Sequence, residues 1–474
     1  MSREAKLIKN TAIIAFGNIC TRCVSFLLLP LYTSILSTAE YGEVDVVGTY
    51  TGLLAIIATM QLEQGVFRYL VEARDDPEKQ RNYISNTLCM LCGAILVLEG
   101  VVAVILTMVR YQYTMYFLAI VALSSIQGVL LQIPRGLGNN IIYTAGSCLH
   151  GVTQIVLNVV LIAVFRLGVR GMLAANALAM AVSVVYIVFR LKLWRKCDAT
   201  LIEKSTMWKL LTYSLPLIGG ALCWWVIGAS DRIIISITLG TAYNGIYAIA
   251  NKFPSILSVV GGIFNTAWTE SASENVDGAS KENFYEKTLN KAICVYSSCN
   301  LVVLCALALT FRFLVEDSYG QAYDQIPILL VSGLVHLIAS WYGAIFVAFK
   351  KTKHVALTTA MAALLNCTIN LMTIKHIGLY GATLSSLAAF SAMAFIRYKD
   401  VQKYVCIRCN LRIVIVELLM YTGAFLCYYS GNAAIQSVAL LVSLVYCFLR
   451  NRDLAGKLFQ TCKETLTRRV GVKK

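Results

Sequence analysis

Charge is scarce in this chain, and negative charge scarcer still. Only 14% of its 474 residues are charged, 25 acidic against 41 basic, while 58% are hydrophobic. So little polar surface cannot clothe a soluble globule of this length, and a mean hydropathy of +0.69 excludes one. Catalytic signatures are missing as well. The sequence holds no D-x-D, no phosphate loop, no G-x-G-x-x-G and no Ser/His/Asp arrangement, and no loop is long enough for an independent domain. A membrane glycosyltransferase or polymerase normally needs a sizeable outer loop whose acids serve metal or base catalysis, so these absences point away from an enzyme and from any cofactor. A cleavage pattern is also lacking behind the first apolar run. That run begins after Arg3, Lys6 and Lys9 and continues to about Tyr32, too long for a secretory signal, and reads as a retained helix.

What is present is a succession of apolar runs of spanning length. A bilayer core takes about 20 apolar residues of helix to cross. About fourteen such runs follow one another: 8–32, 44–70, 84–109, 113–134, 141–165, 171–190, 210–230, 243–265, 289–311, 326–349, 354–374, 378–397, 412–429 and 433–449. An even number puts both termini on one side. Most of the Lys and Arg residues fall there, among them Arg190, Lys192, Arg195 and Lys196, then Lys350, Lys351 and Lys353, then Arg397, Lys399, Lys403, Arg408 and Arg412. The opposite loops carry Glu40, Glu43, Asp45, Glu316, Asp317 and Asp324. The positive-inside rule therefore makes both termini cytoplasmic. The same topology accounts for a pI near 9.1 without nucleic acid as a partner. The 16 cysteines are scattered, and their only regular spacing, C-x-x-C at Cys20/Cys23, Cys89/Cys92 and Cys406/Cys409, reads as compact apolar packing rather than a metal site.

A faint internal repeat organises the runs. Leu36, Thr38, Ala39 and Gly42 match Leu239, Thr241, Ala242 and Gly245 at a constant offset, and the matched stretches lie in equivalent outer loops with six spans between them. Parallel repeats about an axis along the membrane normal would produce this pattern. The expected fold is thus all-α and integral to the membrane, with two pseudo-symmetric six-helix lobes and two further helices. The expected boundaries are 1–190 for the first lobe, 191–209 for a basic cytoplasmic linker, 210–400 for the second lobe, 401–450 for the last two spans and 451–474 for a basic tail.

Polar residues within the spans are the candidate site. A charge in hydrocarbon costs at least about 2.5 to 3.5 kcal/mol, so each needs a hydrated cavity, a partner or an escape to the interface. Arg22 lies roughly 22 Å along its helix from the inner face, with Asn18 and Ser25 on the same side. Arg68 lies only about 7 to 8 Å deep and has two readings, a pair with Glu72 at the water's edge or a wall of the inner vestibule, towards which Gln61 and Gln64 extend its stripe. Lys252 sits mid-span, near Ser255, with Pro254 behind it to bend the helix and free a carbonyl. Asp231 is its first candidate partner, provided span seven extends that far. His150/Gln154/Asn158, Ser332/His336/Ser340 and Asn366/Asn370 read as interhelical glue or as a polar interior. Glu63, Glu99 and Glu417 are the acids within spans, and so the candidates for proton or sodium coupling.

Mid-span cations without matching acids make an electropositive cavity suited to an anionic ligand, and Arg forks onto phosphate. A cation drug antiporter would instead carry a mid-span acid as its central charge. The stretches LEQGVFRYLVEARDD and SDRIIISITLGTAYNGIYAIANKFPSILSVVGGIFNTAWTESASE resemble the polysaccharide-biosynthesis (Wzx-like) oligosaccharide flippases of the MOP exporter superfamily. The resemblance implies a MATE-like fold in the bacterial plasma membrane. It implies a flippase that moves undecaprenyl-diphosphate-linked oligosaccharide from the inner to the outer leaflet by alternating access, alongside other polysaccharide-assembly membrane proteins. It carries Arg68, in FRYL, and Lys252, in GIYAIANK, to substrate binding; Arg22, Asn18 and Gln64 join them by position. The same pattern leaves a peptidoglycan-precursor lipid and a multidrug antiporter open as alternatives.

Overall fold

A computed structural model describes Phe26 and residues 28–276, 281–408 and 410–471, with the side chains of 259, 260, 263 and 453–471 left aside. The described residues form fifteen α-helices and no strand. In chain order these are α1 (Leu29–Ile35), α2 (Thr38–Thr59), α3 (Leu62–Glu72), α4 (Pro77–Met108), α5 (Thr114–Gly136), α6 (Asn140–Asn158), α7 (Gly168–Leu191), α8 (Lys204–Thr238), α9 (Thr241–Glu274), α10 (Lys281–Leu314), α11 (Ala322–Ala348), α12 (Thr352–Ile377), α13 (Leu379–Val401), α14 (Leu411–Tyr428) and α15 (Ala433–Gly471). A single π-helical turn, Val159–Val164, continues α6.

Eleven of these helices are long and apolar enough to cross a membrane, or twelve when α2 and α3 count as one bent span. The protein is a multi-pass membrane protein whose spans follow the apolar runs of the sequence. The expected total of about fourteen is not reached among the described residues. Most of the first run lies outside them, and α9, which matches the eighth run, is not among the eleven.

Packing divides the chain into two compact units. One runs to Lys252 and takes in Val315–Ala322 and Ala363–Ala382; the other comprises Phe253–Leu314, Tyr323–Ala362 and Thr383 onward.

In the first unit, Ser37 starts α2 with a reciprocal cap: its hydroxyl accepts from the Glu40 amide, and the Glu40 carboxylate accepts from the Ser37 amide at 2.9 Å. Two consecutive left-handed residues, Met60 (φ 48°) and Gln61 (φ 59°), then end α2 and turn the chain by 49° into α3. Neither residue is a glycine, so the break is costly and must be held by its surroundings. Those surroundings are close. Gly65 of α3 lies against Leu210 and Ser214 of α8, and Gly136 of α5 against Leu70 and the Phe67 carbonyl. Leu62, Val66 and Leu70 are fully buried on that face.

The linker after α7 is not loose. Asn86 of α4, wholly buried, donates to the Leu201 carbonyl at 2.8 Å and accepts from the Glu203 amide at 2.9 Å, while Ser85 accepts from the Asp198 amide and Arg81 pairs with Asp198 at 3.0 Å. One amide side chain thus stands in for a missing stretch of backbone pairing.

In the second unit, Trp268 and Trp341 stack at 4.7 Å, and the Trp268 indole donates to the Trp341 carbonyl. Arg397 departs from its expected place among the exposed basic residues of the inner face, being only 1% exposed. Its guanidinium donates to the carbonyls of Ala339 and Val355 and to the hydroxyls of Thr358 and Thr359. Four aligned acceptors replace water around the charge, which is how an Arg without a carboxylate tolerates burial.

Candidate transport site

The residues expected to bind substrate lie on more than one element of the chain. Arg22 and Asn18 lie outside the described residues. Arg68 sits on the exposed face of α3, its guanidinium 2.7 Å from the Glu72 carboxylate, each side chain about half exposed. The local i,i+4 pair is thus formed. Gln64, one turn earlier, is exposed on the same helix. Lys252 is half-buried in α9, two residues before Pro254, and that helix runs on without interruption.

The acids differ from one another. Glu63 lies in the first turn of α3, directly after the break, and its Oε2 is buried with no hydrogen-bond partner among the described residues. Glu99 in α4 likewise keeps one buried oxygen unpaired. Glu417 in α14 is 6% exposed, accepts from the Tyr446 hydroxyl at 2.8 Å, and keeps its Oε2 unpaired. A broken span exposes helix-end carbonyls and amides that an unbroken one would hide, so the Met60–Gln61 turn beside Glu63 is a polar island in an apolar stretch.

A polar network surrounds Asp231, which the sequence offers only as a conditional partner for Lys252. α8 extends to Thr238, well past the expected end of span seven at 230, and so carries Asp231 and Arg232 about 10 Å inside the helix end. The signal was available in the apolar run Ile233–Ile237 that follows the charged pair. Asp231 is 4% exposed and accepts from the Tyr247 hydroxyl and from Asn370 Nδ2, both at 2.7 Å. Ser230 donates to Asn366 Oδ1 at 2.9 Å. The Asn366/Asn370 stripe therefore ties α12 to α8, which is the glue reading.

Beside it, Arg232 lies 3.4 Å from Asp45 of α2, and Asn244 of α9 donates to the Gly42 carbonyl and to Asp45 Oδ2. The Gln154/Asn158 pair is spent within α6, where Asn158 donates to the Gln154 carbonyl.

The matched stretches of the sequence meet here. A Cβ added to Gly42 would collide with the Thr241 carbonyl oxygen, and one added to Gly245 with that of Thr38. The first turns of α2 and α9 therefore cross backbone to backbone, each glycine set against the residue that begins the other helix. Only glycine allows main chains this close. Around the crossing, the Tyr319 hydroxyl donates to the Leu36 carbonyl at 2.9 Å, and Tyr41 packs edge-on against Tyr319.

Two apolar recesses open on the helix faces. One, of about 470 Å³, lies in the second unit between α10, α14 and α15, bounded by Leu301, Cys305, Met420, Gly423, Val438 and Val442. The other, of about 500 Å³, lies in the first unit near the start of α2. Among the described residues no group of His, Cys, Asp or Glu is placed to hold a metal ion.

Comparison with known proteins places this architecture. No curated protein matches the chain. Its fold is shared with an inward-facing multidrug resistance MATE family transporter of the MOP superfamily (14% identity, 84% of this chain and 96% of that one, TM-score 0.66) and with an outward-facing one (16%, 86% and 96%, 0.58). It is shared also with a mutant of the Vibrio cholerae MATE transporter VcmN (14%, 84% and 96%, 0.55). A family model described as polysaccharide biosynthesis protein matches residues 7–269, more than half of the sequence. With its MATE-like helical fold, the chain belongs to the polysaccharide biosynthesis protein family.

Proposed function

We propose that this transporter is a flippase that carries undecaprenyl-diphosphate-linked oligosaccharide from the cytoplasmic to the outer leaflet by alternating access between the lobes 1–190 and 210–400. The observation that carries the reading is the crossing of Thr38–Gly42 on Thr241–Gly245, in a chain of the polysaccharide biosynthesis family. Two copies of one motif packed against each other form a self-complementary seal, and the Asp45, Arg232 and Asn244 contacts lock it from the side. With both termini cytoplasmic, this seal stands at the outer end of the helices, where cargo must leave. Export then requires α2 and α9 to part.

Arg68 and Lys252, with Arg22, Asn18 and Gln64, are the groups assigned to the diphosphate and first sugars. A guanidinium whose carboxylate partner is half exposed exchanges that partner cheaply for a diphosphate, because an exposed ion pair is worth only about 0.2 to 1 kcal/mol. The recess between α10, α14 and α15 suits the polyprenyl tail, since its walls are aliphatic and it opens beside membrane-exposed Leu419 and Val438. Glu63, Glu99 and Glu417 are the groups assigned to proton or sodium coupling, each with a buried oxygen free to take a proton or cation.

Depletion in the native cell tests the function: lipid-linked repeats accumulate on the cytoplasmic leaflet and surface polysaccharide is lost. Accumulation of a peptidoglycan precursor instead would reassign the cargo. Normal export by the Ala variants of Arg22, Arg68 and Lys252 alike would discard the site.

A drug antiporter remains the second reading because Asp231 is the kind of buried mid-span acid that it requires. Both Asp231 oxygens are already taken by Tyr247 and Asn370, which favours a structural role. Proton-competed transport of a lipophilic cation, abolished by Asp231→Asn, would decide for the antiporter.

A further inference from the structure

Three tyrosines from three helices meet at the end of α3 that the expected topology turns to the cytoplasm. Tyr69 of α3 stacks on Tyr83 of α4, their ring centroids 5.2 Å apart, and is set edge-on to Tyr213 of α8 at 6.0 Å. The Tyr69 hydroxyl donates to the Lys209 carbonyl at 3.3 Å, which ties it to α8 a second time. Tyr69 and Tyr83 are half-buried and make the base of the cluster, whereas Tyr213 is 40% exposed.

The ion pair of α3 lies beside this cluster. Arg68 directly precedes Tyr69, and Glu72 follows it by three residues, the spacing that puts side chains about 5 to 6 Å apart at Cβ on a helix surface. The Arg68 guanidinium and the Glu72 carboxylate are 2.7 Å apart, each side chain about half exposed. An open aromatic ring and a solvated pair of opposite charges therefore share one patch.

We infer that this patch is the subsite for the first sugar of the cargo, a pyranose whose ring lies on Tyr213 and whose hydroxyls donate to Glu72 once the diphosphate has drawn Arg68 away. The inference rests on the lipid-diphosphate cargo proposed above and adds Tyr213 and Glu72 to its binding groups. A pyranose has an apolar face of C–H groups and a rim of hydroxyls. Its face gains by leaving water for an aromatic ring, and its rim needs acceptors, for which an ionised carboxylate with two oxygens is well suited. The Arg68–Glu72 contact holds both halves of a match to a sugar diphosphate. Phosphate satisfies the guanidinium, and the carboxylate so released is answered by hydroxyls. A bare lipid diphosphate answers only the first half, and this asymmetry selects the glycosylated lipid.

The test is binding by the full chain in phosphatidylglycerol nanodiscs, read by native mass spectrometry. The probes are undecaprenyl diphosphate, bare or carrying one glucose, galactose or N-acetylglucosamine. Wild type should retain at least one of the three glycosylated lipids about tenfold better than the bare one, as expected for hydrogen bonds to a charged group. Tyr213→Ala should erase that advantage, and Tyr213→Phe, which keeps the ring, should preserve it. Glu72→Gln should cut the advantage while raising retention of the bare lipid by up to about fivefold, because Arg68 no longer has to leave a carboxylate. A merely structural cluster would not move the two lipids in opposite directions. No gain from any sugar in wild type, or equal losses for bare and glycosylated lipid in both Tyr213→Ala and Glu72→Gln, would overturn the inference. Failure of wild type to retain any of the four lipids would instead bring down the cargo reading, and this subsite with it. Melting in detergent identifies a variant that fails to fold, and the other then decides.

Discussion

Gly42 and Gly245 face each other across the crossing of α2 and α9, and neither has room for a methyl group. Gly42→Ala and Gly245→Ala should each destabilise the protein by about 1 to 3 kcal/mol, the usual range for overpacking a close contact. Because each change wedges the same contact, the double variant should cost less than the sum of the two. Melting of the purified protein followed by tryptophan fluorescence reads both effects. Two variants as stable as wild type would remove the seal from the mechanism.

The Asp45–Arg232 pair allows a double-mutant cycle. Asp45→Asn or Arg232→Gln alone strands a charge in a largely apolar place, while the double change strands none. A coupling of about 0.5 to 3 kcal/mol is expected in the same melting assay. If the pair also locks the seal, the double variant should transport faster or with less directional bias than wild type. Strictly additive losses would mean that the two charges do not cooperate.

Arg68 should behave in the opposite way. Its partner is local and both side chains are half exposed, so Arg68→Ala should alter stability by no more than about 1 kcal/mol. Loss of export at normal abundance would then report substrate binding rather than misfolding. Arg397→Ala is the contrasting control: it strips donors from two carbonyls and two hydroxyls in a closed site, and a loss of about 3 kcal/mol or more is expected, with lowered abundance.

The docked linker should respond to acid. Hydrogen bonds from Thr200, with Arg81 nearby, hold the Asp198 carboxyl below the usual carboxylate range. A folded pKa that is depressed contributes stability above the unfolded value, near 3.9, and that contribution fades as pH falls through the folded pKa. Limited proteolysis between Arg195 and Glu203 should therefore quicken as pH drops below about 4. Asp198→Asn should be cut faster at neutral pH and lose the acid dependence. A pH-independent cutting rate in wild type would show that Asp198 does not pin the linker.

Much of this fold was legible because hydrocarbon imposes a length on apolar runs, and twelve of the expected spans coincide with helices or bent pairs that pass as spans. What the sequence could not separate was depth from fate. Arg397 and Arg190 end their apolar runs alike, yet one is buried among carbonyls and the other remains at the surface. The charged pair Asp231–Arg232 looks like the end of span seven until two other helices, α9 and α12, supply Tyr247 and Asn370 to the carboxylate. The break at Met60–Gln61 left no proline or glycine to announce it, being imposed by the packing of α3 between α5 and α8.

The sequence by itself determined that the chain lives in a membrane as a bundle of helices, because unbroken apolar runs of about 20 residues match a spanning helix, which satisfies its own backbone in hydrocarbon, and are too long for a barrel strand. It also holds two stretches that match at four positions with a constant offset. Only the tertiary structure decided that those stretches touch, that Asp45 answers Arg232, and that Arg68 turns to its own helix. These depend on which helix faces stand opposite one another, and helical periodicity states which residues share a face but not what that face will meet.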